Sequence, residues 1–202
     1  MMELDYEGFY PAGIFVGTKG TGLGAKKKYA LISENGRMKI RGFETVRRNL
    51  SKIAKETQER VLDIILREND LAAAIEHVKG VVNQIRSRKT PVGKVIITTQ
   101  LQKEIKSYES YGPHVAAAQR MKDQNIPVGP GSVVRYVVIQ GGDRIRDRIR
   151  LPEEVKEGEY DPEYYINNQI VPAVERVFAV LGINIEQEIS DKKQTSLSKF
   201  FG

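Results

Sequence analysis

With 202 residues, 32 Lys plus Arg against 26 Asp plus Glu, two His and no cysteine, the sequence excludes a disulfide scaffold and a Cys-ligated zinc or iron–sulfur site, and leaves little for a His-rich metal site. The formal charge of +6 is compatible with a nucleic-acid partner but does not select one. No apolar run nears the roughly 18 residues of a membrane span, and Glu3, Asp5 and Glu7 are the wrong chemistry for a signal peptide, so the expected setting is intracellular, reducing and free of membrane.

The first 40 residues read as strand and turn. Phe9, Ile14, Phe15 and Val16, then Tyr29, Ala30, Leu31 and Ile32, form short apolar runs around a stretch from Gly17 to Gly24 that is too glycine-rich for a regular element. Glu34-Asn35-Gly36 is a strand-joining turn signal, and the β unit should end near Ile40. From Phe43 the period turns helical: Phe43, Val46, Leu50, Ile53, Ala54, Thr57, Val61, Ile64 and Ile65 form one apolar stripe. Asn69-Asp70 ends that helix, and Asp70 caps a second one striped by Leu71, Ile75, Val78, Val82 and Ile85, which predicts a helical hairpin. A short strand is expected over Val95 to Thr98, then a helix on Leu101, Ile105 and Tyr108. Gly112-Pro113 should open another, since proline at the first helical position costs no hydrogen bond. Val133 to Ile139 has strand composition, Gly141-Gly142-Asp143 turns the chain, and Arg144 to Arg150 reads as the returning strand. A helix from about Glu163 to Leu181 follows, with Pro172 expected to kink or divide it. The last dozen residues are polar and should be disordered in isolation.

Catalytic chemistry is hard to build from this chain. Metal-assisted phosphoryl transfer needs carboxylates pinned on rigid elements so that two cations sit about 4 Å apart. The acidic pairs here, Glu153-Glu154, Asp161 with Glu163, and Glu186 with Glu188, fall in polar loops or near the tail. A glycine motif ending in Gly-Lys-Ser/Thr is absent, and a Ser/His/Asp or Cys/His nucleophile has too few histidines and no cysteine. The expectation is no catalytic residue, no metal of its own and no activity alone.

Binding features are easier to find. In a strand, Arg144, Arg146, Arg148 and Arg150 would share one face, with guanidiniums about 6.6 Å apart, close to the phosphate spacing of a nucleic-acid strand. A charged edge strand protected against aggregation is the other reading. Arg47, Arg48, Lys52 and Lys55 lie opposite the apolar stripe of the first helix, as a phosphate contact or simply its solvated face. In Lys26-Lys27-Lys28-Tyr29, strand geometry places Lys27 and Tyr29 on one face, a cation beside an amphipathic ring; an ordinary charged strand start fits as well. A helix opening at Gly112-Pro113-His114-Val115 would aim the His114 and Val115 N–H groups at an anion, or be an ordinary capped helix. In the tail, one 3₁₀ turn puts Leu197 and Phe200 on one side with Phe201 adjacent, an apolar cluster that calls for a partner. Gln194-Thr195-Ser196-Leu197-Ser198-Lys199-Phe200-Phe201 resembles the peptide by which replication and repair proteins dock on the sliding clamp. Gln194 would fill a small polar pocket there, and Leu197, Phe200 and Phe201 an apolar one.

Along nearly its whole length the chain resembles the carboxy-terminal part of an archaeal B-family DNA polymerase, the end of the palm plus the thumb. Asp5-Tyr6-Glu7-Gly8-Phe9-Tyr10 and Lys26-Lys27-Lys28-Tyr29-Ala30 are similar to the end of that palm, where the second lysine and the tyrosine of a Lys-Lys-x-Tyr motif hold primer-template; here these are Lys27 and Tyr29. Arg47 to Gln58 is similar to the start of the thumb, and Tyr108 with Gly112-Pro113-His114-Val115-Ala116 to a thumb segment along duplex DNA. Val133 to Gly141 is similar to the strand at the thumb tip, and Tyr160 to Gln169 with Pro172-Ala173-Val174 to the last thumb helices. The family's palm motifs Asp-x-x-Ser-Leu-Tyr-Pro and Tyr-x-Asp-Thr-Asp and its fingers helix are absent, and a glycine-rich insertion, about Gly17 to Ala25, precedes the lysines.

The resemblance implies an α+β fold: a palm-completing β segment over 1–42, a mainly helical thumb with a small β-hairpin tip over 43–190, and a flexible clamp-binding peptide over 191–202. It further implies the small chain of a split polymerase, cytoplasmic and nucleoid-associated. Its partners would be a large chain carrying exonuclease, palm and fingers, primer-template DNA, and the sliding clamp. Mg2+ would sit in the partner chain's active site, with no cofactor on this chain. The alternative is a stand-alone clamp-associated DNA-binding accessory or scaffold protein.

Overall fold

Alternating side chains along Ala12–Gly17 (β1), Gly24–Ile32 (β2) and Met38–Arg41 (β3) build an antiparallel sheet in the order β1-β2-β3. The computed structural model describes residues 7–17, 24–43 and 49–190, and of residues 24–27 the backbone alone. The turn signal closes the second hairpin as expected: the Gly36 N–H donates to Ser33 O at 2.8 Å and the Ser33 N–H to Arg37 O at 3.0 Å. Gly36 takes φ +76°, which a side chain would strain. The register Ile14↔Ala30 and Phe15↔Tyr29 sends Ile14, Val16, Ala30 and Ile32 into the core and leaves Phe15 64% exposed.

The first long helix begins later than its apolar stripe suggests. Phe43 is buried, with Lys28 Nζ 5.5 Å from its ring centre, but it sits in a bend that follows Gly42 at φ +69°. Leu50 precedes the helix too, and Val46 lies outside the described residues. Lys52–Asp63 (α1) starts where Ser51, in extended conformation, supplies the N-cap position. Helical burial runs through Ile53, Ala54, Thr57 and Val61, continues in a π turn at Ile64–Glu68, and stops at Asn69 with φ +51°. Asp70 Oδ1 then accepts the Ala73 N–H at 2.8 Å and opens Leu71–Arg86 (α2), completing the expected helical hairpin.

A second antiparallel sheet joins Ile97–Gln100 (β4), Val133–Val138 (β5) and Ile149–Arg150 (β6), in that order. A single helical turn, Val92–Val95 (α3), takes the start of the segment read as strand. No helix forms on Leu101, Ile105 and Tyr108. Leu101 instead extends the ladder, donating to Ser132 O at 2.9 Å and accepting from the Gly131 N–H at 2.8 Å, and only a 3₁₀ turn follows at Ile105–Ser107. Pro113–Asp123 (α4) opens at Gly112 as the proline predicts.

The closing helical run contains Pro172 without dividing. Pro162–Tyr165 (α5), a π turn at Ile166–Ile170 and Val171–Val180 (α6) follow one another directly. The wide turn lies immediately ahead of Pro172 and makes room for a ring that lacks an N–H. Ile185–Ile189 (α7), capped by Asn184, was not foreseen, and it buries Ile185 and Ile189. One core cluster runs from Ile14 to Ile189. Within it Tyr160 and Tyr165 are fully buried edge to face, and the Tyr165 hydroxyl accepts the Val138 N–H at 3.1 Å. Two buried glutamines tie the final run to α1: Gln169 Oε1 accepts the Ser51 N–H at 2.8 Å, and Gln58 Nε2 donates to Ala173 O.

Candidate nucleic-acid interface

The outer face of the first sheet carries a row across all three strands. Pairing places Phe15 beside Tyr29 and Tyr29 beside Arg41, with Leu31 opposite Lys39 in the next row. The Phe15 and Tyr29 rings lie 6.0 Å apart at 38°. Lys26 and Lys27 lie in β2, and their side chains are outside the described residues. Arg37, Lys39 and Arg41 alternate along β3 and its approach, so a true basic row exists where none was read. The period-two pattern Arg-x-Lys-x-Arg could have revealed it. Lys39 is held by Glu7 and lies 5.9 Å from the Tyr10 ring centre.

Lys52 and Lys55, on the first turn of α1, come together with a third cation. They line a depression of about 280 Å3 with Arg135 of β5, Leu50, Gly93, Ile96 and Thr98. The sheet register sets Thr98 directly opposite Arg135. Sequence reasoning missed Arg135, although its place between buried Val134 and Tyr136 marks it as the outward residue of the strand. Arg47 and Arg48 are outside the described residues.

At the start of α4 the anion site is reduced. Val115 donates its N–H to Gly112 O at 3.0 Å, closing the turn, so of the two N–H groups expected to face an anion only that of His114 makes no hydrogen bond among the described residues. The His114 ring meets Tyr108 edge-on at 5.1 Å, and burial lowers its pKa below the ordinary imidazole value. Tyr108 in turn is fixed by the Gln102 N–H, which donates to its hydroxyl at 2.8 Å. Gly112, His114 and Val115 thus form a packed helix start.

The four-arginine strand is not formed. Only Ile149–Arg150 pairs with β5, and Ile145–Arg148 winds into a 3₁₀ turn after Gly141 and Gly142, both at positive φ. The arginines therefore diverge. Arg148 binds the Asp161 carboxylate, donates to Ile139 O at 3.1 Å and stacks 6.0 Å from the Tyr164 ring. Arg150 donates to the carbonyls of Asp147 and Ile149 at 2.9 and 2.8 Å. Arg146 lies 5.7 Å from the Tyr111 ring, and Arg144 is exposed. Asp161, the partner of Arg148, is placed beside the turn by the chain returning through Tyr160. Gln194, Leu197, Phe200 and Phe201 are outside the described residues.

The sequence profile of "DNA polymerase family B" matches residues 19–181. The chain belongs to that family. Over 200 residues it is 44% identical to the DNA polymerase of Thermococcus aggregans and 42% to that of Thermococcus litoralis, in each case 98% of this chain but 10% and 11% of the relative. Against the DNA polymerase of Thermococcus sp. strain 9oN-7 it is 42% identical over 92% of this chain and 23% of that protein. The solved structure of the family B DNA polymerase from Pyrobaculum calidifontis, a hyperthermophilic archaeon, matches with a TM-score of 0.72 at 31% identity, over 89% of this chain and 23% of that one. The chain thus corresponds to a segment of archaeal family B polymerases, about a tenth to a quarter of the length of these relatives. Among its described residues no three His, Asp or Glu side chains gather as a metal site, and no helix is long and apolar enough to cross a membrane.

Proposed function

We propose that this chain is the small subunit of a split family B DNA polymerase, a nucleotidyltransferase whose catalytic carboxylates and Mg2+ belong to a large partner chain with exonuclease, palm and fingers. The first sheet completes the partner's palm, the helical body acts as the thumb that holds primer-template duplex, and the tail from Gln194 to Phe201 tethers the enzyme to the sliding clamp. One observation carries the reading: 89% of the chain matches a family B polymerase structure of which it covers 23%, as one structural part of such an enzyme would. The outward row of exposed Phe15, half-buried Tyr29 and exposed Arg41 and the cations at Lys52, Lys55 and Arg135 supply surfaces suited to a partner and to phosphate.

Primer extension tests it. The chain alone should incorporate no nucleotide on a primed template, and adding the large chain should restore or strongly raise extension. Extension by this chain alone would overturn the division of labour, and failure to co-purify with a large polymerase chain would favour a stand-alone clamp-associated module.

A further inference from the structure

The first sheet ends in a strand with one side unused. Among the described residues β3 pairs only with β2. The register continues from Ile32↔Met38 into the turn, where the Ser33 N–H donates to Arg37 O at 3.0 Å. Since hydrogen-bonded pairs alternate along an antiparallel ladder, Lys39 and Arg41 also turn their backbone groups toward β2, and Met38 and Ile40 turn theirs to the free edge. Two N–H and two C=O groups are therefore offered to an incoming strand.

Both faces beside this edge are hollow. Depressions of about 570 and 440 Å3 flank it, and Met38 and Ile40 line both. On the inner side these two half-buried side chains form an apolar floor beside the Glu59 and Asp63 side of α1. Arg67 donates to Gly36 O at 2.5 Å and holds the β2–β3 hairpin against the π turn. On the outer side Arg37, Lys39 and Arg41 recur at period two, and Glu7, which lies in no strand, already binds Lys39. That contact shows which charge the row accepts. A second copy of the chain does not: pairing β3 with itself about Lys39 sets Lys39 against Lys39 and Arg37 against Arg41, and like charges directly opposite are destabilising.

We propose that the free edge of β3 is a strand-addition site for an extended acidic segment of another protein, paired antiparallel through Met38 and Ile40. Its alternate carboxylates stand over Arg37, Lys39 and Arg41, and its intervening apolar side chains enter the inner groove beside Met38 and Ile40. Main-chain bonds supply the affinity and the two faces the selectivity. The site needs neither DNA nor a large chain, so it stands or falls apart from the polymerase reading.

The probe is the capped, fluorescein-labelled peptide Glu-Val-Glu-Val-Glu, followed by anisotropy with the full chain. It should bind, and Lys-Val-Lys-Val-Lys should not. In antiparallel pairing the valine N–H groups face β3, so N-methylation of both valines should weaken binding roughly tenfold or more, whereas N-methylation of the first two glutamates, whose N–H groups face away, should leave it nearly unchanged. On the protein side, Ile40→Pro removes an edge donor without touching the β2 ladder and should weaken binding about fivefold. Arg37→Glu with Arg41→Glu should shift the preference toward the lysine peptide. A parent probe that fails to bind the wild-type chain overturns the site. Equal binding of the parent and the valine-methylated probe would show attraction by charge alone and overturn strand addition. A dimer of the free chain that the probe dissociates would reassign the edge to a second copy and overturn the assignment to an acidic partner. Because the methylated pair leaves the protein unaltered, it decides the matter even if Ile40→Pro lowers the melting temperature.

Discussion

Two basic regions of this chain look alike as sequence and differ in what their charges do. Between Arg144 and Arg150 every second residue is an arginine, yet Arg148 and Arg150 spend their donors on Asp161 and on backbone carbonyls. The cations at Lys52, Lys55 and Arg135 are scattered over 84 positions and converge on one depression, where among the described residues only Lys52 has an ion pair, with Glu56. Linear charge density therefore measures supply, while the availability of charge is set by where carbonyls and carboxylates end up after folding. An arginine is especially able to be consumed in this way, since five donors can satisfy several carbonyls left over by a tight turn.

The largest test of that contrast removes Asp161. Asp161→Ala leaves Arg148 without its carboxylate at a site where the two side chains are 21% and 14% exposed, and also deletes the cap whose Oδ1 accepts the Tyr164 N–H at 3.2 Å. The expected loss is about 3 kcal/mol, roughly 6–12 °C in melting temperature by calorimetry. A loss below about 0.5 kcal/mol would mean that Arg148 is as free as Arg135. Smaller by far should be Arg146→Ala, which removes an exposed guanidinium near the Tyr111 ring and should cost no more than about 0.5–1 kcal/mol in urea denaturation. An effect equal to that of Asp161→Ala would show that the whole turn acts as one ionic unit.

The smallest expected effect concerns protons. Burial lowers the pKa of both His77 and His114, with Arg60 adding to the effect at His77. Their folded values lie below the unfolded value, so the unfolded chain binds protons first. Stability should therefore hold above about pH 6.5 and fall as pH drops below it toward the folded values. Melting temperatures recorded from pH 7.5 down to 5.5 should show this decline, and His114→Phe, which keeps a ring against Tyr108, should reduce it. A rise in stability on acidification would place His114 next to an anion-like environment and restore the helix start as a charged site.

Much of the architecture could be read from local pattern, and the failures share a cause. The α1–α2 hairpin, the Gly36 turn, β5 and the Gly112-Pro113 helix start were legible because each depends on residues within a few positions of one another. Phe43 and Leu50 fit the helical period without joining the helix, since Gly42 and the cap position of Ser51 decide the boundary. Leu101 fits a helix as well as a strand end, and only its pairing with Gly131 and Ser132 settles the matter. At the candidate site the same limit applies. Lys52 and Lys55 could be nominated from sequence, whereas Arg135 and the capture of Arg148 by Asp161 depend on sheet register and chain return, which no local window contains.

The two glutamines that join α1 to the final helices also govern when the molecule can be completed. The Ser51 N–H, at the opening of α1, finds its acceptor on Gln169, and the Gln58 side chain finds its own on Ala173. Until that stretch has been synthesised, the Ser51 N–H, the Gln58 amide and the face of α1 that α6 covers are left to water. The helical body therefore closes late, with α1 waiting on the π turn and α6.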